Sequence, residues 1–245
     1  MMAENSKIEW CHHTFNPVVG CTKVSPACDH CYAESWAKRT GQPELWQGER
    51  RRTTPANWRG PRIWNRRAES LGVRYRVFCA SLSDVFDNQW DQQWRDDLWG
   101  LIAETPNLDW LLLTKRPQNI AKMLPASDPM RFGTWPWQNV WLGITAENQT
   151  EYDRRWPYLA SVNASVRFLS CEPLLSPIKL DPVGPIADWV ICGGESGGGA
   201  RNMEPEWARD LRDQCHDTDI AFFMKQMTRK TAIPDDLMIR QFPNQ

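Results

Sequence analysis

Short apolar runs alternate with amphipathic stretches along most of the chain. Residues 76–81, 110–114, 140–145, 166–171, 189–192 and 220–224 are runs of four to six residues dominated by aliphatic, aromatic and Cys side chains. Runs this short, apolar at consecutive positions, predict strands buried on both faces. Between them the apolar positions take helical spacing. In 91–104, Trp94, Leu98, Leu101 and Ile102 share one stripe, and helices are also predicted at 118–124, 149–159 and 204–217. Upstream, 32–40 predicts a helix stopped by Gly41 and Pro43, and 63–70 a helix ending at Gly72. A short strand is expected within 8–19. Buried strands alternating with helices give a parallel sheet covered by helices. The expected fold class is α/β, a partial (β/α)6-type barrel with parallel strands; a doubly wound parallel sheet is the alternative. No repeat of fixed spacing divides the chain. It reads as one domain over 1–245, with an Arg/Trp-rich insertion at about 41–70, irregular over 41–61, and loose tails at 1–7 and 230–245.

Composition narrows the class. The chain has 245 residues, 41% hydrophobic and 24% charged, enough for one substantial core. No apolar run approaches the roughly 18 residues of a membrane span, and residues 1–9 lack the apolar core of a signal peptide. A cytoplasmic, membrane-free protein is expected, and eight cysteines in a reducing compartment favour metal binding over disulfides. Cys79, Cys171 and Cys192 lie in apolar runs and read as core; Cys215 stands apart. Net charge is −1, yet the distribution is uneven. Arg50, Arg51, Arg52, Arg59, Arg62, Arg66, Arg67, Arg74 and Arg76 face only Glu49 and Glu69, with Trp58 and Trp64 interleaved. Arginines neutralise phosphates and indoles stack on bases, so this stretch is a candidate nucleic-acid or nucleotide contact. The alternative is a solvated helix face with its Trp packed inward.

The densest chemistry lies at residues 20–34, where Cys21, Cys28 and Cys31 are spaced C-x6-C-x2-C. Pro26 keeps the segment a loop, and a helix starts just after Cys31. Three thiols closed by a helix N-terminus suit an iron–sulfur cluster, the helix dipole offsetting thiolate charge. Three ligands leave one iron of a [4Fe–4S] cubane open. A structural zinc needs four ligands, so the rival reading takes Cys11, His12, His13 or His30 as the fourth. His12 and His13 otherwise read as a surface pair. In parallel α/β folds chemistry gathers where strands end, and polar residues recur there: Ser81, Ser83 and Asp84; Lys115 and Arg116; Glu147 and Asn148; Glu172; Gly193, Gly194 and Glu195; Lys225 and Gln226. The expected partner for Glu172, if it binds nothing, is a neighbouring Arg or Lys. The run 193–199 lacks G-K-[ST] and is not a Walker phosphate loop; Arg201 beyond it is placed to pair a carboxylate or phosphate. Trp135 and Trp137 flank Pro136 and read as loop packing or a substrate platform.

Three clustered cysteines before a helix, followed by strand–helix units, resemble the radical S-adenosylmethionine (radical SAM) superfamily. Ile8-Glu9-Trp10, Phe15-Asn16-Pro17, the cysteine loop, Thr114-Lys115-Arg116-Pro117, Cys171-Glu172-Pro173-Leu174-Leu175 and Gly193-Gly194-Glu195-Ser196-Gly197 more closely resemble a phage and bacterial family of radical SAM-like proteins of unsettled function. The likeness runs from about Ile8 to Gln226. The superfamily loop is usually C-x3-C-x2-C with an aromatic before the last cysteine; here the first gap is six, His30 precedes Cys31 and Tyr32 follows it. The resemblance implies a [4Fe–4S] cluster on Cys21, Cys28 and Cys31, S-adenosylmethionine (AdoMet) as cofactor, and an external flavodoxin- or ferredoxin-like electron donor. It implies a 5′-deoxyadenosyl radical that abstracts hydrogen from a substrate in the barrel mouth. Lys115 or Arg116 is then expected on the AdoMet carboxylate and Glu147 or Asn148 on its ribose. Gly193-Gly194-Glu195 resembles the superfamily's GGE motif, which holds the amine but usually follows the second strand; Ser81, Ser83 and Asp84 are the candidates by position. With the Arg/Trp stretch, a nucleobase in DNA or RNA is the expected substrate. Two other classes compete: a zinc-stabilised nucleic-acid-binding module without catalysis, and a non-catalytic iron–sulfur protein. A hydrolase built on Glu147, Glu172 or Glu195 leaves the cysteine loop unexplained.

Overall fold

The computed structural model describes residues 4–125, 134–197 and 199–243. In chain order, β1 (His13–Phe15) and β2 (Val18–Val19) precede the cysteine loop, and α1 (Tyr32–Arg39) follows it. β3 (Arg51–Arg52) pairs antiparallel with β2, and α2 (Pro55–Leu71) leads into β4 (Tyr75–Cys79). Then come α3 (Gln92–Ala103), β5 (Leu108–Thr114), α4 (Ile120–Met123), β6 (Val140–Thr145), α5 (Gln149–Ala160), β7 (Val166–Cys171), β8 (Trp189–Gly193), α6 (Pro205–Asp217) and β9 (Ala221–Gln226).

The main sheet has seven strands in the order β1-β4-β5-β6-β7-β8-β9, every neighbouring pair parallel. The order never reverses, so the sheet curls one way into a half-barrel; a doubly wound sheet would reverse at a switch point. The seventh strand is β1, whose register sets His13 beside Val77 and Phe15 beside Cys79. Successive strand residues point to opposite faces. Val77, Cys79, Leu112, Ile144, Leu169, Val190 and Cys192 pack outward in the main core, with Cys215 of α6. Phe78, Leu111, Trp141, Phe168, Trp189, Ile191 and Phe223 fill the inside of the curl. Both faces are covered, which is why the strands read as continuous apolar runs.

Four expectations are corrected. Helix α2 starts at Pro55 rather than at 63. Thr54 caps it by accepting from the Asn57 N–H, and Pro55 sits in the first turn. Pro61 lacks the N–H that would bond the Asn57 carbonyl, but Trp58, Pro61 and Trp64 are buried from that helix, and this packing holds it through the defect. Second, the Arg/Trp stretch is not a stacking surface. Trp58 and Trp64 are core residues, 7% and 1% exposed. Arg50 is buried against Asp87 at 2.7 Å, Arg51 bonds the Gln42 side chain, and Arg52 pairs with Asp97 while covering the Trp58 ring at 4.3 Å. Third, His13 is buried, its ring stacked on Trp64 at 4.3 Å. Fourth, the C-terminal segment is packed through residue 243. Leu237 is fully buried, Arg76 covers Phe242 at 3.8 Å, and the Trp189 indole N–H donates to the Gln241 carbonyl. Arg240 pairs with Glu9 at 2.9 Å, joining the segment after β9 to the one before β1. Trp135 and Trp137 pack edge-on against Trp99, which resolves them as loop packing. No helix among the described residues is long and apolar enough to cross a membrane.

Candidate functional site

The strands end around one cavity of about 770 Å³, lined by the cysteine loop, the start of α1 and the ends of β4 to β9. The alternation that fills the lower half-barrel empties the upper. On β6 the inner face runs Trp141, Gly143, Thr145; on β7 it runs Phe168, Ser170, with Glu172 next in register; on β8, Trp189, Ile191, Gly193; on β9, Phe223, Lys225. Large aromatics give way to small or polar residues, and Ala80, Thr145, Ser170, Glu172 and Lys225 are those that reach the cavity. Below them the packing is tight. A Cβ on Gly143 would lie 2.3 Å from the Phe168 ring.

Cys21, Cys28 and Cys31 all line this cavity, free and half-buried. The loop carrying them is anchored to three strand ends. After β5, Arg116 donates to the Thr22 carbonyl at 2.9 Å and to the Cys21 sulfur at 3.7 Å. After β6, Glu147 accepts the Ala27 N–H at 3.0 Å. After β8, Glu195 meets His30 Nδ1 at 2.8 Å, and Arg201 donates to the Pro26 carbonyl at 2.8 Å and pairs with Asp29 at 3.1 Å. Burial, reinforced by the Asp84 charge, pushes the Cys21 thiol up to about 11 against the pull of Arg116. Burial would also raise Glu195, but hydrogen bonds from Arg201 and His30 outweigh it and hold that carboxyl at about 2. Glu147 is likewise held low, burial being outweighed by the buried Arg155 at 2.8 Å and the Ala27 N–H.

The other expected site residues fall into three groups. Lys115 and Glu172 line the cavity with their side chains in reach of a ligand; Glu172 pairs with Lys225, whereas the Lys115 ammonium has no ion pair among the described residues. Ser81, Ser83 and Asp84 also line it but are tied down. Ser81 Oγ accepts from Asn16, Ser83 donates to the Val18 carbonyl, and Asp84 accepts from Thr114, the Lys115 N–H and Arg116. Glu147 and Asn148 lie off the cavity: Glu147 holds the loop from beneath, and Asn148 caps α5 by accepting from the Glu151 N–H. Gly193 ends β8, and only glycine fits at 194, since a Cβ there would lie 2.6 Å from the Thr228 backbone N. Ser170 was not singled out by the sequence, and Thr145 entered only as the start of its strand-end set, without a role. The two-residue period from Trp141 and Phe168 would have found them, since it carries the inner face to those positions.

Among the described residues, no three His, Cys, Asp or Glu side chains are grouped to hold a metal ion. A tetrahedral zinc requires thiolate sulfurs about 3.8 Å apart, from Zn–S bonds of ~2.3 Å. Each expected fourth zinc ligand is engaged elsewhere: the Cys11 thiol with the Ile8 carbonyl, His12 Nδ1 with the Arg76 N–H, His13 against Trp64, and His30 with Glu195. Cys21, Cys28 and Cys31 line one cavity as free thiols, a donor set of the kind that could give one thiolate to each of three irons in a polynuclear cluster.

A family model described as "Protein of unknown function (DUF5131)" matches residues 5–236. No curated protein matches the sequence. Among solved structures the chain is similar to spore photoproduct lyase complexed with dinucleoside spore photoproduct, at 11% identity and a TM-score of 0.57, over 92% of this chain and 78% of that one. It is also similar to a double mutant of that lyase with bound AdoMet and dinucleoside spore photoproduct, at 12% identity and a TM-score of 0.53. That match covers 94% of this chain, which spans 60% of the length of the lyase chain. The likeness is one of fold: a curled half-barrel of seven parallel strands, similar to that of radical SAM enzymes.

Proposed function

We propose, taking as premise that the chain belongs to the DUF5131 family of proteins of unknown function, that it is a radical SAM-type enzyme acting on a nucleobase-bearing substrate. The observation that carries this is the coincidence of three free thiols with a chamber emptied of bulk at the strand ends. Cys21, Cys28 and Cys31 would hold a [4Fe–4S] cluster. When bound, the cluster and AdoMet supply one-electron cleavage of a carbon–sulfur bond, yielding a 5′-deoxyadenosyl radical. The protein contributes placement and exclusion of water. Lys115, an ammonium without an ion pair in the cavity wall, would hold the AdoMet carboxylate; Arg116 is committed to Asp84 and the loop. Thr145 and Ser170 offer hydroxyls at the depth where a substrate would sit. The Glu172–Lys225 pair offers an acceptor and a donor to a heterocycle edge. Phe78 and Leu113 give the chamber an apolar floor. A fold similar to that of a lyase complexed with a dinucleoside spore photoproduct supports a nucleobase as substrate class; the Arg/Trp stretch does not. An external flavodoxin- or ferredoxin-like donor would deliver the electron.

The test is anaerobic purification with iron analysis, then incubation with dithionite and AdoMet. Brown protein that yields 5′-deoxyadenosine, and loses it on Cys28→Ala, is the expected result. Brown protein yielding none makes this a non-catalytic iron–sulfur protein. Colourless protein with one zinc moves the binding-module reading to first place.

A further inference from the structure

We infer that Glu195 and Arg201, together with Glu147 and Arg155, are positioning residues that pin the cysteine loop to the rim of the half-barrel, and that Glu195 is not the acceptor of the cofactor amine. Calling the loop a cluster holder rests on the function proposed above; the pins belong to the free chain.

The six-residue gap between Cys21 and Cys28 creates a problem that a shorter loop does not have. Each added residue carries conformational freedom that must be lost for three thiols to face one point. The pins answer it one per cysteine. Arg116 holds Thr22, next to Cys21. Glu147 takes the Ala27 N–H, next to Cys28. Glu195 holds His30, next to Cys31, and orients Arg201 onto the Pro26 carbonyl and Asp29. The three pins come from the ends of three different strands, so the rigid sheet templates the loop. The carboxylates at both later pins are backed by arginines: Arg155 against Glu147 at 2.8 Å, and Arg201 against Glu195.

The capacity of Glu195 excludes the other role. A carboxylate has about four lone-pair sites. Oε2 faces His30 Nδ1 and the Arg201 N–H, both at 2.8 Å; Oε1 accepts from Arg201 Nε at 3.2 Å and from its Nη2. All four are taken by the chain itself. An ammonium would have to displace a pin to bind, so the motif that resembles an amine-binding GGE does a different task here. That also suits its late position in the chain, since the segment after β8 is the one that meets Pro26, Asp29 and His30.

The experiment is amide hydrogen exchange on the full-length, iron-free chain, comparing wild type with Glu195→Gln and Arg201→Gln. Both remove the same pin, so either carries the test if the other misfolds. Exchange at residues 27–31 is expected to rise at least about tenfold, the loss of roughly one charge-assisted hydrogen bond, with the sheet unaffected. After reconstitution, AdoMet affinity per bound cluster, by equilibrium dialysis, is expected to stay within about threefold of wild type. Unchanged exchange in both variants overturns the pin. A fall in AdoMet affinity beyond that threefold in Glu195→Gln overturns the exclusion and returns the amine to Glu195. Colourless protein with a loosened loop leaves the pins standing and sinks only the functional reading.

Discussion

Replacing Arg50 by Ala separates a structural arginine from a nucleic-acid contact. The guanidinium and the Asp87 carboxylate are 3% and 1% exposed. Two N–H groups of Arg50 converge on one Asp87 oxygen at 2.9 and 2.7 Å, and Arg50 also donates to Thr22 at 2.7 Å. Removing one partner of a buried pair costs about 3–5 kcal/mol because the other charge is left unpaired. Here Arg116, 3.8 Å from the same Asp87 oxygen, and the Gln89 N–H at 3.1 Å soften the loss, so about 2–4 kcal/mol is expected. In a chain of 245 residues that lowers Tm by about 5–15 °C. Urea and thermal unfolding under reducing conditions read it. Arg51→Ala, at an exposed site, is the control and should stay within about 0.5 kcal/mol. Oligonucleotide affinity at low salt is measured on the same samples. An Arg50→Ala protein as stable as wild type but deficient in binding would refute the assignment and restore the arginine run as a phosphate contact.

Ser170→Leu should leave unfolding within about 1 kcal/mol of wild type, since the added bulk enters open space, while AdoMet binding by dialysis falls at least about tenfold as the side chain occupies the chamber; undiminished binding would show that this layer does not face the ligand. His13 titrates at about 4, burial and then the neighbouring His12 lowering it from 6.5. The unfolded chain therefore binds the extra proton between those values, and stability is full above about 6.5 and falls with pH toward 4. The loss reaches about 2 kcal/mol by pH 5, and urea midpoints of His13→Phe, which keeps the stack on Trp64, should fall less between pH 7 and 5; an equal fall would place the acid sensitivity elsewhere.

The parallel sheet was legible because both of its faces are buried, which turns each strand into an unbroken apolar run. The same property hid which face was which. Ala146, Glu147 and Asn148 follow Thr145 closely, and only the register inherited from Trp141 distinguishes a cavity residue from a loop anchor and a helix cap. Cys21, Cys28 and Cys31 were recognisable because thiol spacing is rare enough to carry meaning alone. Of the two readings of the Arg/Trp stretch, the inward packing of its Trp residues held, and composition could not decide between them because it is blind to the carboxylates of Asp87 and Asp97, which approach Arg50 and Arg52 from more than thirty residues away. The first two turns of α2 were not legible because local rules weigh the missing N–H of Pro61 and not the tertiary packing of Trp58 and Trp64.

The aromatic filling of the lower half-barrel has a kinetic meaning. Among the described residues, Trp141, Phe168, Trp189 and Phe223 close the base of the half-barrel, and the cysteine loop lines the chamber at the opposite, strand-end side. If the proposed reaction places two ligands in this cavity, the one nearer the aromatic base should bind first and be released last, an order that product-inhibition kinetics would read.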